Sequence, residues 1–80
     1  MHYVYLIRSL HSPSEQYVGQ SGNLKQRLVE HNSGKCPSTQ SARPWRLVWY
    51  GGFAQQKTAL AFERYLKSGS GKTFLKRHFV

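Results

Sequence analysis

Met1 to Ser9 (MHYVYLIRS) alternates side chains and is rich in Tyr, Val and Ile, which predicts a β-strand. His2, Val4 and Leu6 share one face of it; Tyr3, Tyr5 and Ile7 share the other. Leu10 to Ser14 carries Ser-Pro-Ser and reads as a turn. Glu15 to Gln20 is a second short strand, so the two form an antiparallel hairpin. Pairing Tyr5 opposite Tyr17 would put both rings on one face, and a slip of one residue would separate them. Ser21-Gly22-Asn23 then breaks the pattern. Asn23 followed by Gln26 has capping-box spacing for a helix from Leu24, and Gly34 is its natural stop. On that helix Leu24 and Leu28 form the apolar stripe, Arg27 and His31 lie along one edge, and Gln26, Val29 and Glu30 turn outward.

Lys35 to Pro44 is polar, contains two prolines and reads as a loop. Arg46 to Phe53 (RLVWYGGF) is a third strand closed by Gly51-Gly52. Gln56 to Lys67 is a second helix with Ala59, Phe62 and Leu66 as its buried stripe and Glu63 at the stripe's edge. Ser68 to Gly71 interrupts, and Lys72 to Phe79 is a short final helix. The order is β-β-α-β-α-α, which predicts one α+β domain over residues 1–80, with a small three-stranded antiparallel sheet flanked by helices.

Eighty residues bury roughly 60% of the surface of the unfolded chain, so the core is modest. The single cysteine, Cys36, cannot form an intramolecular disulfide, and no apolar run approaches the ~18 residues of a membrane span. No signal peptide is recognisable, and the expected setting is reducing and cytoplasmic. Charge changes the picture most. Twelve Lys and Arg face three Glu, with no Asp, for a net charge of +9. Such a surface attracts polyanions, nucleic acid first and an anionic membrane surface second.

Several motifs carry no chemistry. Gly69 to Thr73 (GSGKT) resembles a phosphate loop, but Leu66 stands where that motif needs Gly, and a helix precedes it instead of a strand. Its expected role is a helix break whose backbone N–H groups face a phosphate. His2, His11, His31 and His78 show no metal-ligand spacing, and without Asp a Ser-His-Asp triad is excluded. Tyr5 and Tyr17, taken singly, are ordinary core aromatics. Arg27 and His31 are a solvated helix edge, and Glu63 is a partner for a nearby cation. On one side of a three-stranded sheet, however, two phenols, a guanidinium, an imidazole and a carboxylate make a phosphodiesterase constellation. The phenol acts as base, the guanidinium meets phosphate charge and the carboxylate holds metal.

In order, Tyr3-Val4-Tyr5, Tyr17-Val18-Gly19, Asn23-Leu24 with Arg27-Leu28 and His31-Asn32, Arg43-Pro44-Trp45, and Phe62 to Gly71 resemble the GIY-YIG nuclease family. The likeness is to short stand-alone domains related to the N-terminal domain of the UvrC excision nuclease. It implies a metal-dependent endonuclease that hydrolyses DNA phosphodiester bonds, with a role in DNA repair or recombination. By that resemblance Tyr5 and Tyr17 are the motif tyrosines, one of them handling the attacking water. Arg27 stabilises the phosphate, His31 assists by hydrogen bonding, and Glu63 holds one Mg²⁺ or Mn²⁺. Gln20, Lys25, Lys35, Arg43, Lys67 and Lys72 are the expected DNA contacts. A partner protein would supply specificity, no membrane contact is implied, and Trp49 is an exposed aromatic available for self-association. Two positions depart from the pattern: Tyr3 replaces the first glycine of GIY, and Gln20 stands where a basic residue often follows YIG. The alternative is a nucleic-acid-binding module of the same fold without effective catalysis.

Overall fold

The computed structural model describes residues 1–78. Its elements are β1 (His2–Ser9), β2 (Gln16–Ser21), α1 (Leu24–Ser33), β3 (Trp45–Phe53), α2 (Gln56–Lys67) and α3 (Gly69–His78), in the β-β-α-β-α-α order expected. The strands form one antiparallel sheet in the order β2-β1-β3. The central position of β1 explains its composition, because both of its faces are covered. Val4 and Leu6 pack with Val18, Ala59, Leu66 and Leu75 beneath α2 and α3. Tyr5 and Ile7 pack with Ala42 and Trp45, against Leu24 and Leu28 of α1, on the opposite face. The sheet is therefore the middle layer, with β2 at one edge and β3 at the other.

Local signals set the ends of α1. The Asn23 side chain accepts from the Gln26 backbone N–H at 3.1 Å, and Gly34 takes the left-handed conformation at φ 85°, its N–H neighbour Lys35 bonding the Glu30 carbonyl. Asn32 then ties α1 to β3, accepting from the Trp45 N–H at 2.6 Å and donating to the Trp45 carbonyl at 3.1 Å. Inside the stretch expected to be a plain loop, Gln40–Ala42 forms a 3-10 turn.

The structure corrects five expectations. Tyr5 pairs with Gly19, and Tyr17 pairs with Ile7. The offset of two keeps both tyrosines on one face while sparing them direct opposition. Strand β3 starts at Trp45, one residue before the expected Arg46, and ends at Phe53 as expected, with Gly51 and Gly52 pairing with Val4 and Tyr3 inside it. Ser68 to Gly71 is no break, since only Ser68 lies outside a helix and α3 begins at Gly69. The Ser68 hydroxyl accepts from the Gly71 N–H at 3.2 Å, so that N–H is used within the protein. Gly71 is there for closeness: a Cβ on it would stand 1.8 Å from the Tyr65 carbonyl oxygen. Glu30, expected to turn outward, is half-buried against Arg27. Trp49 is half-buried on Phe62, with ring centroids 5.8 Å apart. The expected last helical residue, Phe79, lies outside the described residues.

Candidate active site

The arrangement begins with β1 and β2. Gly19 faces Tyr5 across the ladder, and a Cβ there would lie 2.5 Å from the Tyr5 hydroxyl and 3.1 Å from the Tyr17 ring. Only a bare backbone lets the Tyr5 phenol lie flat over β2 and reach α1. There its oxygen meets Nε2 of His31 at 2.8 Å. His31 is fully buried, not a solvated edge, and its Nδ1 is 2.8 Å from the Thr39 hydroxyl. Thr39 in turn donates to the Cys36 carbonyl at 3.3 Å. This last bond assigns the protons. With the Thr39 hydrogen committed, its oxygen accepts from Nδ1–H, so Nε2 carries the lone pair and accepts from Tyr5.

Burial, reinforced by the nearby Arg27 cation, holds His31 below its ordinary pKa, so it is neutral near pH 7. Burial likewise pushes the Tyr5 phenol up to about 12, although the Arg27 guanidinium beside it pulls the other way. The two neighbours Tyr5 and Glu30 raise the Arg27 pKa further, so it stays charged. Arg27 also contacts Glu30 at 3.1 Å, and that pairing lowers the Glu30 carboxyl. Tyr17 completes the group: its ring lies 5.1 Å from the His31 ring, centroid to centroid. Unlike Tyr5, it is only half-buried, because it stands on the edge strand.

Glu63 comes from the other layer. Lys67, one turn along α2, holds its carboxylate at 3.0 Å, and the same ammonium sits 5.6 Å over the Tyr17 ring. Lys67 thus links the two sides of the site around the sheet edge. Lys67 and Lys72 also line a cleft of about 370 Å³ with Tyr17. Lys25 sits near the start of α1, whereas Lys35 and Arg43 lie near its end, about 15 Å away along the axis. Arg43 is held by the Gln40 carbonyl at 2.9 Å. Gln20 pairs with Val4 and shares its face, the α2 side of the sheet. Five of the expected contacts therefore form two groups, Lys67 and Lys72 at Tyr17 and Lys25, Lys35 and Arg43 along α1, while Gln20 stands apart on the α2 side of the sheet.

Residues 1–77 match the GIY-YIG catalytic domain. The chain belongs to the GIY-YIG family. Among its relatives is a UPF0213 protein of Pediococcus acidilactici, 40% identical over 63 residues, which covers 75% of this chain and 64% of the relative. A UPF0213 protein of Staphylococcus haemolyticus is 32% identical over 76 residues, 94% of this chain and 90% of its own length. A structure-specific endonuclease subunit SLX1 homolog of Giardia intestinalis is 35% identical over 65 residues, 76% of this chain but 18% of the relative. The chain thus spans under two-thirds of the Pediococcus protein and a small part of the Giardia one. Membership of a GIY-YIG catalytic family with endonuclease relatives supports a nuclease.

Thr39 had no individual signal in the sequence, and Lys67, expected as a DNA contact, had little for its pairing with Glu63. Thr39 lies in a polar run, Ser38-Thr39-Gln40-Ser41, where nothing local separates it from its neighbours. Lys67 is one cation among twelve, and only the α2 periodicity, four residues after Glu63, hints at its contact.

Proposed function

We propose that this chain is a metal-dependent endonuclease that hydrolyses DNA phosphodiester bonds. The observation that carries the reading is the convergence at the β2 edge of Tyr5, Tyr17, Arg27 and His31 from one layer with Glu63 from the other, joined through Lys67. Arg27 meets the phosphate with a fixed charge and a planar fork. Tyr5 is a positioning residue: almost fully buried, with its proton directed to His31, it offers Arg27 an acceptor oxygen. Tyr17, on the open edge, is the phenol that holds the attacking water. That water's oxygen bonds to phosphorus as the bond to the 3′ oxygen breaks; the water releases a proton to solvent and the departing 3′ oxygen takes one up.

Glu63 is the residue that would hold the cation. Among the described residues there is no group of three His, Cys, Asp or Glu around which a closed protein cage would form. One carboxylate, completed by water and substrate phosphate oxygens, fits the habit of Mg²⁺ and its substitute Mn²⁺. When bound, the ion supplies positive charge at the leaving oxygen.

The cellular context we propose is DNA repair or recombination, with specificity supplied by a partner; the Giardia relative's name, which calls it a subunit, supports this. No helix among the described residues is long and apolar enough to cross a membrane. A second reading, the binding module, is favoured by the Glu63–Lys67 pair, in which an ammonium already neutralises the Glu63 carboxylate. Purified protein incubated with supercoiled, branched and single-stranded DNA, in Mg²⁺, Mn²⁺ or chelator, decides between them. Cleavage that chelator stops is expected. Salt-dependent binding without cleavage in any metal would overturn the enzyme and leave the module.

A further inference from the structure

The α1 face of the sheet holds a second cleft, of about 510 Å³, beyond Tyr5 on β1. Tyr3 and Tyr50 form its aromatic wall, edge to face with centroids 6.0 Å apart, and Leu24, Leu28 and Leu47 are its floor. Lys25 stands on the rim. Tyr50 is 53% exposed, an unusual cost for a large aromatic beside an apolar floor. Among the described residues no acidic side chain lines the cleft.

We propose that this cleft takes an unpaired nucleobase of the DNA substrate, stacked on Tyr50 beside Tyr3, with its phosphate on Lys25. Three features select this occupant. The exposed Tyr50 ring, set edge to face with Tyr3 over an apolar floor, offers a flat surface to the flat apolar face of a base. A cation at the rim, on a chain of net charge +9, complements the phosphate that accompanies every base. Position supplies the third: Tyr3 is two residues from Tyr5 on one strand face, about 7 Å along β1, and Leu24 and Leu28 flank Arg27 on α1. A strand with its phosphate at Arg27 therefore brings a nearby base to the cleft. A base paired within a duplex cannot enter, so the preferred substrate class is DNA with a single-stranded, branched or frayed element beside the scissile bond. The inference rests on the proposed DNA substrate, and it gives a role to Tyr3 at the position where the family pattern has glycine.

The test measures binding in chelator, apart from cleavage. The probes are a short single strand carrying 2-aminopurine, a blunt duplex of equal length, and the same duplex with an unpaired 2-aminopurine. The parent protein is expected to bind the unpaired probes more tightly than the blunt duplex and to quench the fluorescent base. Tyr50→Ala should weaken binding to the unpaired probes by about 5- to 150-fold, the range for loss of one stacked base, while leaving the blunt duplex unchanged. Tyr50→Phe, which keeps the ring, should restore both binding and quenching. Lys25→Gln, on the exposed side of α1, should weaken the unpaired probes without abolishing quenching. Duplex binding with no preference for unpaired bases, or equal losses on all probes in Tyr50→Ala, would overturn the cleft's role alone. Binding to none of the probes would overturn the DNA reading with it. A dimer in sedimentation that Tyr50→Ala dissociates would assign the cleft to a second copy of this chain and overturn the proposal.

Discussion

The Tyr5 hydroxyl donates to Nε2 of His31 at 2.8 Å, and both side chains are removed from solvent. Because the imidazole has no water to turn to, this bond is structural as well as functional. Tyr5→Phe leaves a buried acceptor without a donor, which costs about 1–3 kcal/mol. In a domain of this size each kcal/mol lowers Tm by about 4–8 °C. Thermal denaturation should show a fall of that order. A variant that melts with the parent would show that the bond contributes nothing net.

Acid should destabilise the protein through the same histidine. Its folded pKa is held below the ordinary 6.5 by burial and by Arg27. As pH falls below about 6.5, the unfolded chain takes up a proton that the folded one refuses, so stability present at neutral pH is lost. Tyr5 gives the alkaline counterpart, with stability declining from about pH 10 towards the folded value of about 12. Melts across pH 5 to 8 should show the acid decline, and His31→Gln should flatten it, since the amide does not titrate. An unchanged slope in that variant would assign the decline to other groups.

Side-chain alternation in β1 and the capping residues Asn23 and Gly34 made most elements legible, because these signals act over a few residues. The register of the hairpin was not. Alternation fixes only which face a residue takes, and Tyr17 faces the same way opposite Ile7 as it would opposite Tyr5. What selects the actual pairing is a tertiary fit, the Tyr5 ring over Gly19. The start of α3 was hidden for a similar reason. Ser-Gly-Ser-Gly is a poor helical sequence, and it becomes helical because Gly71 lets α3 lie against the backbone at Tyr65 and Leu66. Arg27, His31 and Glu63 were legible as a set through the family likeness, but burial of His31 and the Thr39 contact depend on a loop folding back over α1.

Gly19→Ala tests that fit. The added methyl would stand 2.5 Å from the Tyr5 oxygen and 2.7 Å from the ring carbon that carries it, so the phenol must move off His31. Overpacking of this kind costs about 1–3 kcal/mol. The variant should melt lower than the parent and lose cleavage at temperatures where it is still folded, because Arg27 loses its Tyr5 contact. Parent-like cleavage in folded Gly19→Ala would show that Tyr5 need not sit where it does.

Arg27→Lys keeps the charge but loses the fork that contacts Tyr5 and Glu30 and that, on the proposed reading, would also meet the phosphate. Turnover should fall by about 10²–10³, the cost of removing one donor that stabilises developing charge. Glu30→Gln should act oppositely on binding. It removes a negative charge from where the phosphate would sit, while the half-buried, solvent-screened ion pair it breaks contributes little. DNA affinity should therefore rise at little expense in Tm. If Arg27→Lys turns over like the parent, Arg27 is only a surface cation.

Glu63 and Lys67 make opposite predictions at one site. The Lys67 ammonium contacts the Glu63 carboxylate, so under the proposed metal role lysine and cation would compete for it. The lysine side chain is 50% exposed, and a pair of this spacing on a helix contributes about 0.3–0.5 kcal/mol, so the competition is mild. Lys67→Met should raise Mn²⁺ affinity about twofold, the factor that such an energy corresponds to. It should also lower DNA affinity and make the logarithmic salt slope shallower by about 0.9 if its cation contacts a phosphate. Glu63→Gln keeps the shape and removes the charge, so metal-dependent cleavage should disappear while DNA binding persists or tightens. Paramagnetic line broadening by Mn²⁺ reads the metal directly, without turnover. Broadening should centre on Glu63 in the parent, strengthen in Lys67→Met and vanish in Glu63→Gln, with thermal melts confirming that each variant is folded. Broadening that survives in Glu63→Gln, or cleavage at the parent rate in that variant, would move the metal away from this carboxylate.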